Sequence, residues 1–181
     1  MSVATAAHAP MGHPRAPVGK LGMWVFLFAD GMMFAALVCT YAMLRALDPA
    51  WPDPQTRLDI NLTGIFTFVL ICSSVTMALA LIETQQRNRV RARRMLVLTM
   101  LFGAGFLGFQ AFEWMHFLRQ GQGPRTDMFY ATFFTLTGFH GFHVLSGLGV
   151  LAYLLSRSCS TRIEPDRLSA TVECGALYWH F

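Results

Sequence analysis

Four apolar stretches, residues 21–44, 60–82, 95–118 and 128–156, are each long enough to cross a lipid bilayer. A hydrocarbon core about 30 Å thick is spanned by about 20 helical residues. In a helix every backbone N–H and C=O pairs within its own segment, which the bilayer interior demands. A fifth stretch opens near Ala170 and runs to Phe181. Only 13% of the 181 residues are charged and 54% are hydrophobic, whereas a soluble domain carries about 25% charged residues. The expected fold class is all-α: a polytopic transmembrane helix bundle with four full helices plus the start of a fifth. Residues 21–181 form that membrane domain. Residues 1–20, with Pro10, Pro14, Pro17, His8 and His13, lack the apolar core of a signal peptide and read as a mobile cytoplasmic arm. A helix that halts half-way through a membrane is physically awkward, so the chain is expected to continue past Phe181 or to end in a shortened helix.

The net charge of +4 does not imply nucleic acid, because its distribution is that of a membrane protein. Lys and Arg concentrate in the loops that stay inside. Arg87, Arg89, Arg91, Arg93 and Arg94 crowd the connection between the second and third stretches. With that connection inside, Arg15, Lys20, Arg157, Arg162 and Arg167 are inside too. Arg45, Arg57, Arg119 and Arg125 are outside, ten against four. The expectation is a multi-pass protein of a bacterial inner (plasma) membrane with its N-terminus cytoplasmic and its last helix running outward. The arginine cluster is expected to contact anionic lipid headgroups. Cys39, Cys72, Cys159 and Cys174 form no C-x-x-C pair and give no disulfide or zinc framework; they read as small hydrophobes in helix packing. Trp51, in the turn-rich segment after the first helix, reads as an interfacial anchor.

Polar groups at membrane depth carry the functional information. Asp30 lies near mid-membrane, where a carboxylate costs about 2.5–3.5 kcal/mol even on lenient insertion scales. It is either a protonated acid bonded to a neighbouring helix or a proton-active site. Glu113 and His116, and His140 and His143, are spaced i, i+3, while Glu173 and His180 lie in the last segment. Glu-x-x-His is half of a di-iron carboxylate motif, and two histidines can clamp a haem. Only one Glu-x-x-His is present, however, and Glu83 and Glu113 sit toward opposite faces. No catalytic residue and no metal site is therefore assigned; these side chains are read as bonding one another across helices. Thr63, Thr67, Ser73, Ser74 and Thr76 form a polar seam on the second helix, and eleven of the fifteen glycines fall within the apolar stretches. Glycines there allow helix backbones to approach closely.

Five motifs in order resemble subunit III of the haem–copper, cytochrome c oxidase-type respiratory oxidases. They are Gly22-Met-Trp-Val-Phe-Leu-Phe-Ala-Asp30, Ser73-Ser-Val-Thr-Met-Ala78, Gln110-Ala-Phe-Glu-Trp114, Thr137-Gly-Phe-His-Gly-Phe-His-Val144 and Glu173 through Tyr-Trp-His-Phe181. The resemblance covers about Lys20 to Phe181 and is to the short, five-helix form. It implies a non-redox accessory subunit that packs directly on catalytic subunit I, with subunit II in the same complex. Such a subunit binds no cofactor of its own, the haem and copper residing in partner subunits, and it holds phospholipid. It supports proton uptake during aerobic electron transport. The family's usual intramembrane residue is Glu, one methylene longer than Asp30. A subunit III-like partner of nitric oxide reductases stays open as an alternative, as does an independent proton-coupled transporter. The electron donor, cytochrome c or quinol, is not readable from this chain.

Overall fold

A computed structural model describes residues 18–53, 57–160 and 163–181. They form α1 (Val18–Leu47), α2 (Ile60–Gln85), α3 (Arg89–Arg119), α4 (Met128–Cys159) and α5 (Pro165–His180). There is no strand among the described residues. The first four helices are long and apolar enough to cross a membrane, so the chain is a multi-pass, all-α membrane bundle, as the four stretches predict.

Local chemistry sets the helix starts. The side chains of Asp59, Asn88 and Asp127 accept from the backbone N–H of Leu62, Arg91 and Tyr130 and so cap α2, α3 and α4. Each satisfies a donor that the first helical turn leaves free. Glu164 makes no such bond, but Pro165 occupies the first turn of α5, where a missing N–H costs nothing. Two boundaries differ from the hydropathy reading. The arginine cluster is not a loop: Arg89, Arg91, Arg93 and Arg94 lie in the first turns of α3, and only Arg87 is in the connection. Likewise α5 begins at Pro165 rather than near Ala170. In both cases a capped or proline-led start extends the helix into charged residues that hydropathy assigns to loops. Val18–Lys20 already belong to α1; the rest of the N-terminal arm, with His8 and His13, lies outside the described residues.

Helices α2 and α3 pack along one another, and α5 sits against α2 and α4. The inner core joins Met77 and Ala80 of α2, Leu96 of α3, Leu151 and Leu154 of α4 and Leu168, Val172 and Ala176 of α5. At the end of the bundle that carries the α1–α2 and α3–α4 connections an aromatic cluster gathers Phe117, Phe129, Tyr130 and Phe134. Trp51 joins that cluster, 5.6 Å from Tyr41 and 6.0 Å from Phe129. It thus ties the first loop to α1 and α4. Helix α1 buries only Leu27 and touches only α4 and α5 to any extent.

Lipid gives apolar side chains no reason to leave it, so packing and interhelical hydrogen bonds must hold such a bundle. The polar seam on α2 does this in part. Thr76 and Thr99 meet at 2.7 Å, and Trp179 Nε1 donates to Ser73 Oγ at 3.1 Å. Thr63 and Thr67 instead bond back to carbonyls of their own helix end. About half of the glycines in the helices meet nothing, and where a neighbour does come close it is a side chain filling a notch rather than a second backbone. A Cβ on Gly103 would stand 2.6 Å from Trp179, one on Gly141 2.7 Å from Gln110, and one on Gly175 2.5 Å from Leu154. All four cysteines are free; Cys39 and Cys159 are exposed rather than packed between helices, and Cys72 and Cys174 are partly buried.

Candidate functional site

The one carboxyl–imidazole contact among the described residues joins α1 to α4. His143 Nε2 stands 3.0 Å from Asp30 Oδ1 and 2.9 Å from Oδ2. The Asp30 side chain is 9% exposed. Only the Oδ1 contact has hydrogen-bond geometry, so Oδ2 is buried without a bond although it is the nearer oxygen. Angle decides here, because a hydrogen bond weakens steeply when bent.

The other ring nitrogen fixes the chemistry. His143 Nδ1 lies 2.7 Å from the Phe139 carbonyl oxygen. A carbonyl can only accept, so Nδ1 carries a proton. A neutral ring then presents a bare Nε2 to the carboxyl group. Two lone pairs would face one another unless a proton lies between them. The pair is therefore either Asp–O–H to neutral histidine or carboxylate to imidazolium. Both are neutral overall and both hold one transferable proton. Phe34 packs its edge on the ring, with centroids 4.9 Å apart.

A cavity of about 640 Å³ opens beside the pair, with His143, His140, Gly147, Trp179, His180 and Phe181 in its wall. His180 reaches across from α5: Nδ1 lies 2.7 Å from the Ala176 carbonyl and Nε2 3.0 Å from that of Ser74. A neutral ring donates to one of these carbonyls at a time. Trp179 fills the space between Gly103 and Gly147, its indole bonded to Ser73. Tyr178 bonds Ser146 at 2.5 Å. The last three aromatic positions before Phe181 thus tie α5 to α2, α3 and α4.

The remaining candidates are dispersed. His140 faces Phe106 at 5.4 Å between ring centroids and lies about one turn before His143 on α4. Glu113 lines a second cavity of about 340 Å³ with Gln110, Thr137 and His140. His116 meets Gln120 at 2.9 Å on the exposed end of α3. Glu173 pairs at 2.5 Å with Lys20 at the N-terminal end of α1. Among the described residues no three His, Cys, Asp or Glu side chains come close enough to hold a metal ion. Sequence reasoning missed Lys20 as a partner. Its clue was depth, since α1 and α5 start from the same end of the bundle and both residues lie toward it.

Two of the arginines expected at lipid headgroups bind the protein itself. Arg89 donates to the carbonyls of Ser160 at 2.7 Å and Ile163 at 2.5 Å, and Arg93 donates twice to Ser158, at 3.1 and 2.6 Å. Arg87 pairs loosely with Asp166, Arg91 lies 3.8 Å from Glu83, and Arg94 is exposed. In the α1–α2 connection Arg57 bonds Tyr130, whose hydroxyl donates to Gln122. That bond, aided by Asp127 3.9 Å away, holds the Arg57 proton more tightly than usual.

The geometry is that of a membrane-embedded helix bundle built around one buried acid–imidazole pair. Comparison with known proteins places it. Residues 12–181 match the family model described as cytochrome c oxidase subunit III. The cytochrome bo(3) ubiquinol oxidase subunit 3 of Pseudomonas putida is 31% identical over 93% of this chain and 81% of its own length. The quinol oxidase subunit 3 of Bacillus subtilis is 32% identical over 96% and 89%, and the cytochrome c oxidase subunit 3 of Synechocystis 33% over 97% and 73%. The chain belongs to the cytochrome c oxidase subunit III family, the accessory membrane subunits of haem–copper terminal oxidases. The nitric oxide reductase alternative finds no support in these relatives.

Proposed function

We propose that this chain packs directly against the catalytic subunit I of a bacterial inner-membrane oxidase that also contains subunit II. In this reading its N-terminus is cytoplasmic, it retains phospholipid, and haem and copper sit in the partners. We further propose that Asp30 and His143 hold one proton at mid-membrane and thereby support proton uptake by the complex. The observation that carries this is the locked Nδ1–H of His143, which leaves a single proton to be shared between Nε2 and Asp30. Such a pair gives up and regains a proton without its ring turning. The exposed Arg87, Arg91 and Arg94 are the ones positioned to meet anionic headgroups. Glu113, His116, His140, Glu173 and His180 are supporting polar contacts in this scheme. Relatives similar over most of their length are named for quinol and for cytochrome c, so in this reading the electron donor is set by other subunits.

Two measurements test the proposal. Purification of the tagged chain from native membranes should bring down a large subunit containing haem and copper; a colourless chain on its own would refute the assembly reading. Asp30→Asn should leave that assembly intact and slow proton uptake during turnover. Unchanged uptake would reduce Asp30 to a packing element.

A further inference from the structure

We propose that Trp114 and Trp179 are positioning residues that fix the register of α4, so that His143 rather than His140 is the partner of Asp30. The inference concerns the geometry of the pair and rests on the proton-holding reading only for its effect on uptake.

The need for such a device lies in the sequence of α4. Residues 138–143 read Gly-Phe-His-Gly-Phe-His, one tripeptide twice over. A step of three residues maps the first copy onto the second. In a helix that step is a slide of about 4.5 Å with a turn of about 60°. It keeps side-chain ridges in their grooves, because rows three residues apart are themselves packing ridges. After the step His140 stands where His143 stands now, opposite Asp30. Gly138 takes the place of Gly141, so the Gln110 amide still meets a glycine. Only a glycine fits there, since a Cβ on Gly141 would come within 2.7 Å of Gln110 Nε2 and 2.8 Å of Oε1. The Gln110 Nε2 bond, now 2.5 Å to the Thr137 carbonyl, does not choose either, because the residue that replaces Thr137 offers a carbonyl too. The repeat and the side chain packed on its centre thus leave two registers open.

The residues flanking the repeat close one of them. Before it, Trp114 Nε1 donates to Thr137 Oγ1 at 3.2 Å, and the ring covers Gly138, where a Cβ would stand 3.3 Å from Cη2. A three-residue step replaces Thr137 by Phe134, which has no side-chain oxygen, and Gly138 by Thr135, which brings a branched side chain against the ring. After the repeat, Trp179 covers Gly147, where a Cβ would stand 3.0 Å from both Cε3 and Cζ3. The step replaces Gly147 by Val144, which carries further carbons beyond its Cβ. Trp179 cannot retreat: its indole is bonded to Ser73 at 3.1 Å, and its far edge fills the notch at Gly103. In the observed register both tryptophans are seated, and His143 Nε2 lies 2.9 Å from Asp30.

A mutant cycle read by thermal melting of the assembled complex in detergent tests the register. With both tryptophans present, Asp30→Leu should cancel most of the Tm loss caused by His143→Leu. It should leave the effect of His140→Leu unchanged, as expected for residues that share no contact. In the Trp114→Phe, Trp179→Phe background the cancellation with His143→Leu should fall by about half or more, and a cancellation with His140→Leu should appear. Adding Gly138→Ala to that background should restore the coupling to His143, because an alanine cannot take the place of Gly141 beside Gln110. Tryptophans that only stabilise the bundle would lower Tm without moving the coupling from one histidine to the other. Unmoved coupling therefore overturns the proposal, and so does a Gly138→Ala that restores nothing. Should the double tryptophan variant fail to assemble, Thr137→Val takes its place in the same cycle with the same deciding outcomes; it removes the oxygen that Trp114 bonds and leaves both rings in position. Unchanged uptake in Asp30→Asn is a separate result, against the proton-holding reading and not against the register.

Discussion

Gly103 and Gly105 stand two residues apart on α3 and meet different surroundings. A methyl group on Gly103 would press 2.6 Å from the Trp179 ring and 3.1 Å from Leu148, while one on Gly105 meets nothing within 4 Å. The indole is rigid and held by Ser73, so it cannot yield as a flexible chain would. Gly103→Ala should destabilise the purified complex by about 1–3 kcal/mol, the usual range for overpacking. Gly105→Ala should stay within about 0.5 kcal/mol. Thermal melting in detergent reads both, and equal effects would refute the notch. The sequence marks both residues as glycine in an apolar helix and nothing more, because what separates them is a tryptophan about 75 residues away. Asp30 was legible for the opposite reason: a carboxylate at that depth is costly wherever it points. Its partner was not legible. His140 and His143 lie at similar depth, and only the orientation of α4 against α1 selects His143.

At the level of elements, α2 and α3 end in the same way with different residues. After α2, Asn88 N–H donates to the Glu83 carbonyl and Arg87 N–H to that of Thr84; after α3, Gln122 N–H donates to Phe117 and Gly121 N–H to Leu118. This paired closure turns the residue after the cap left-handed. Gly121 takes that conformation at φ 76° and Arg87 at φ 61°. A side chain there is strained by roughly 1–2 kcal/mol. Arg87→Gly should therefore be neutral or stabilising by up to about 1 kcal/mol, and Gly121→Ala destabilising by about 1 kcal/mol, on the same melting assay; the opposite signs would contradict the closure geometry. Arg89 and Arg93 act on a different element. They hold the carbonyls at the end of α4 and in its connection to α5, with charge-assisted bonds worth about 1.5–3 kcal/mol each. Alanine at either position should lower stability by that order, whereas Arg94→Ala should change it little and weaken retention of anionic lipid instead. Hydropathy located all four spans because twenty apolar residues are hard to mistake. It missed the arginine-rich start of α3 because a capped helix continues as readily through exposed arginines as through leucines.

Across the whole molecule α1 is the least embedded helix, and contacts spread along its length seat it, among them Lys20 with Glu173, Asp30 with His143, and Tyr41 with Trp51. They are unequal. Lys20 and Glu173 are about 40% exposed, and exposed ion pairs contribute about 0–1 kcal/mol. Asp30 and His143 are withdrawn from solvent, where removing one partner strands the other and costs about 3–5 kcal/mol, yet replacing both by apolar residues of similar size is near neutral. A mutant cycle on the assembled complex separates anchoring from proton chemistry. Lys20→Met should shift stability by less than about 1 kcal/mol. His143→Leu should cost about 3–5 kcal/mol, through the stranded carboxyl group. The double variant Asp30→Leu, His143→Leu should recover most of that loss, because no buried acid remains unpaired. If the pair only anchors α1, the double variant will also recover normal proton uptake. If it holds a working proton, the double variant will melt like the native complex and still take up protons slowly. Recovery of stability with slow uptake is the outcome expected here, since the shared proton disappears even when the helix stays in place.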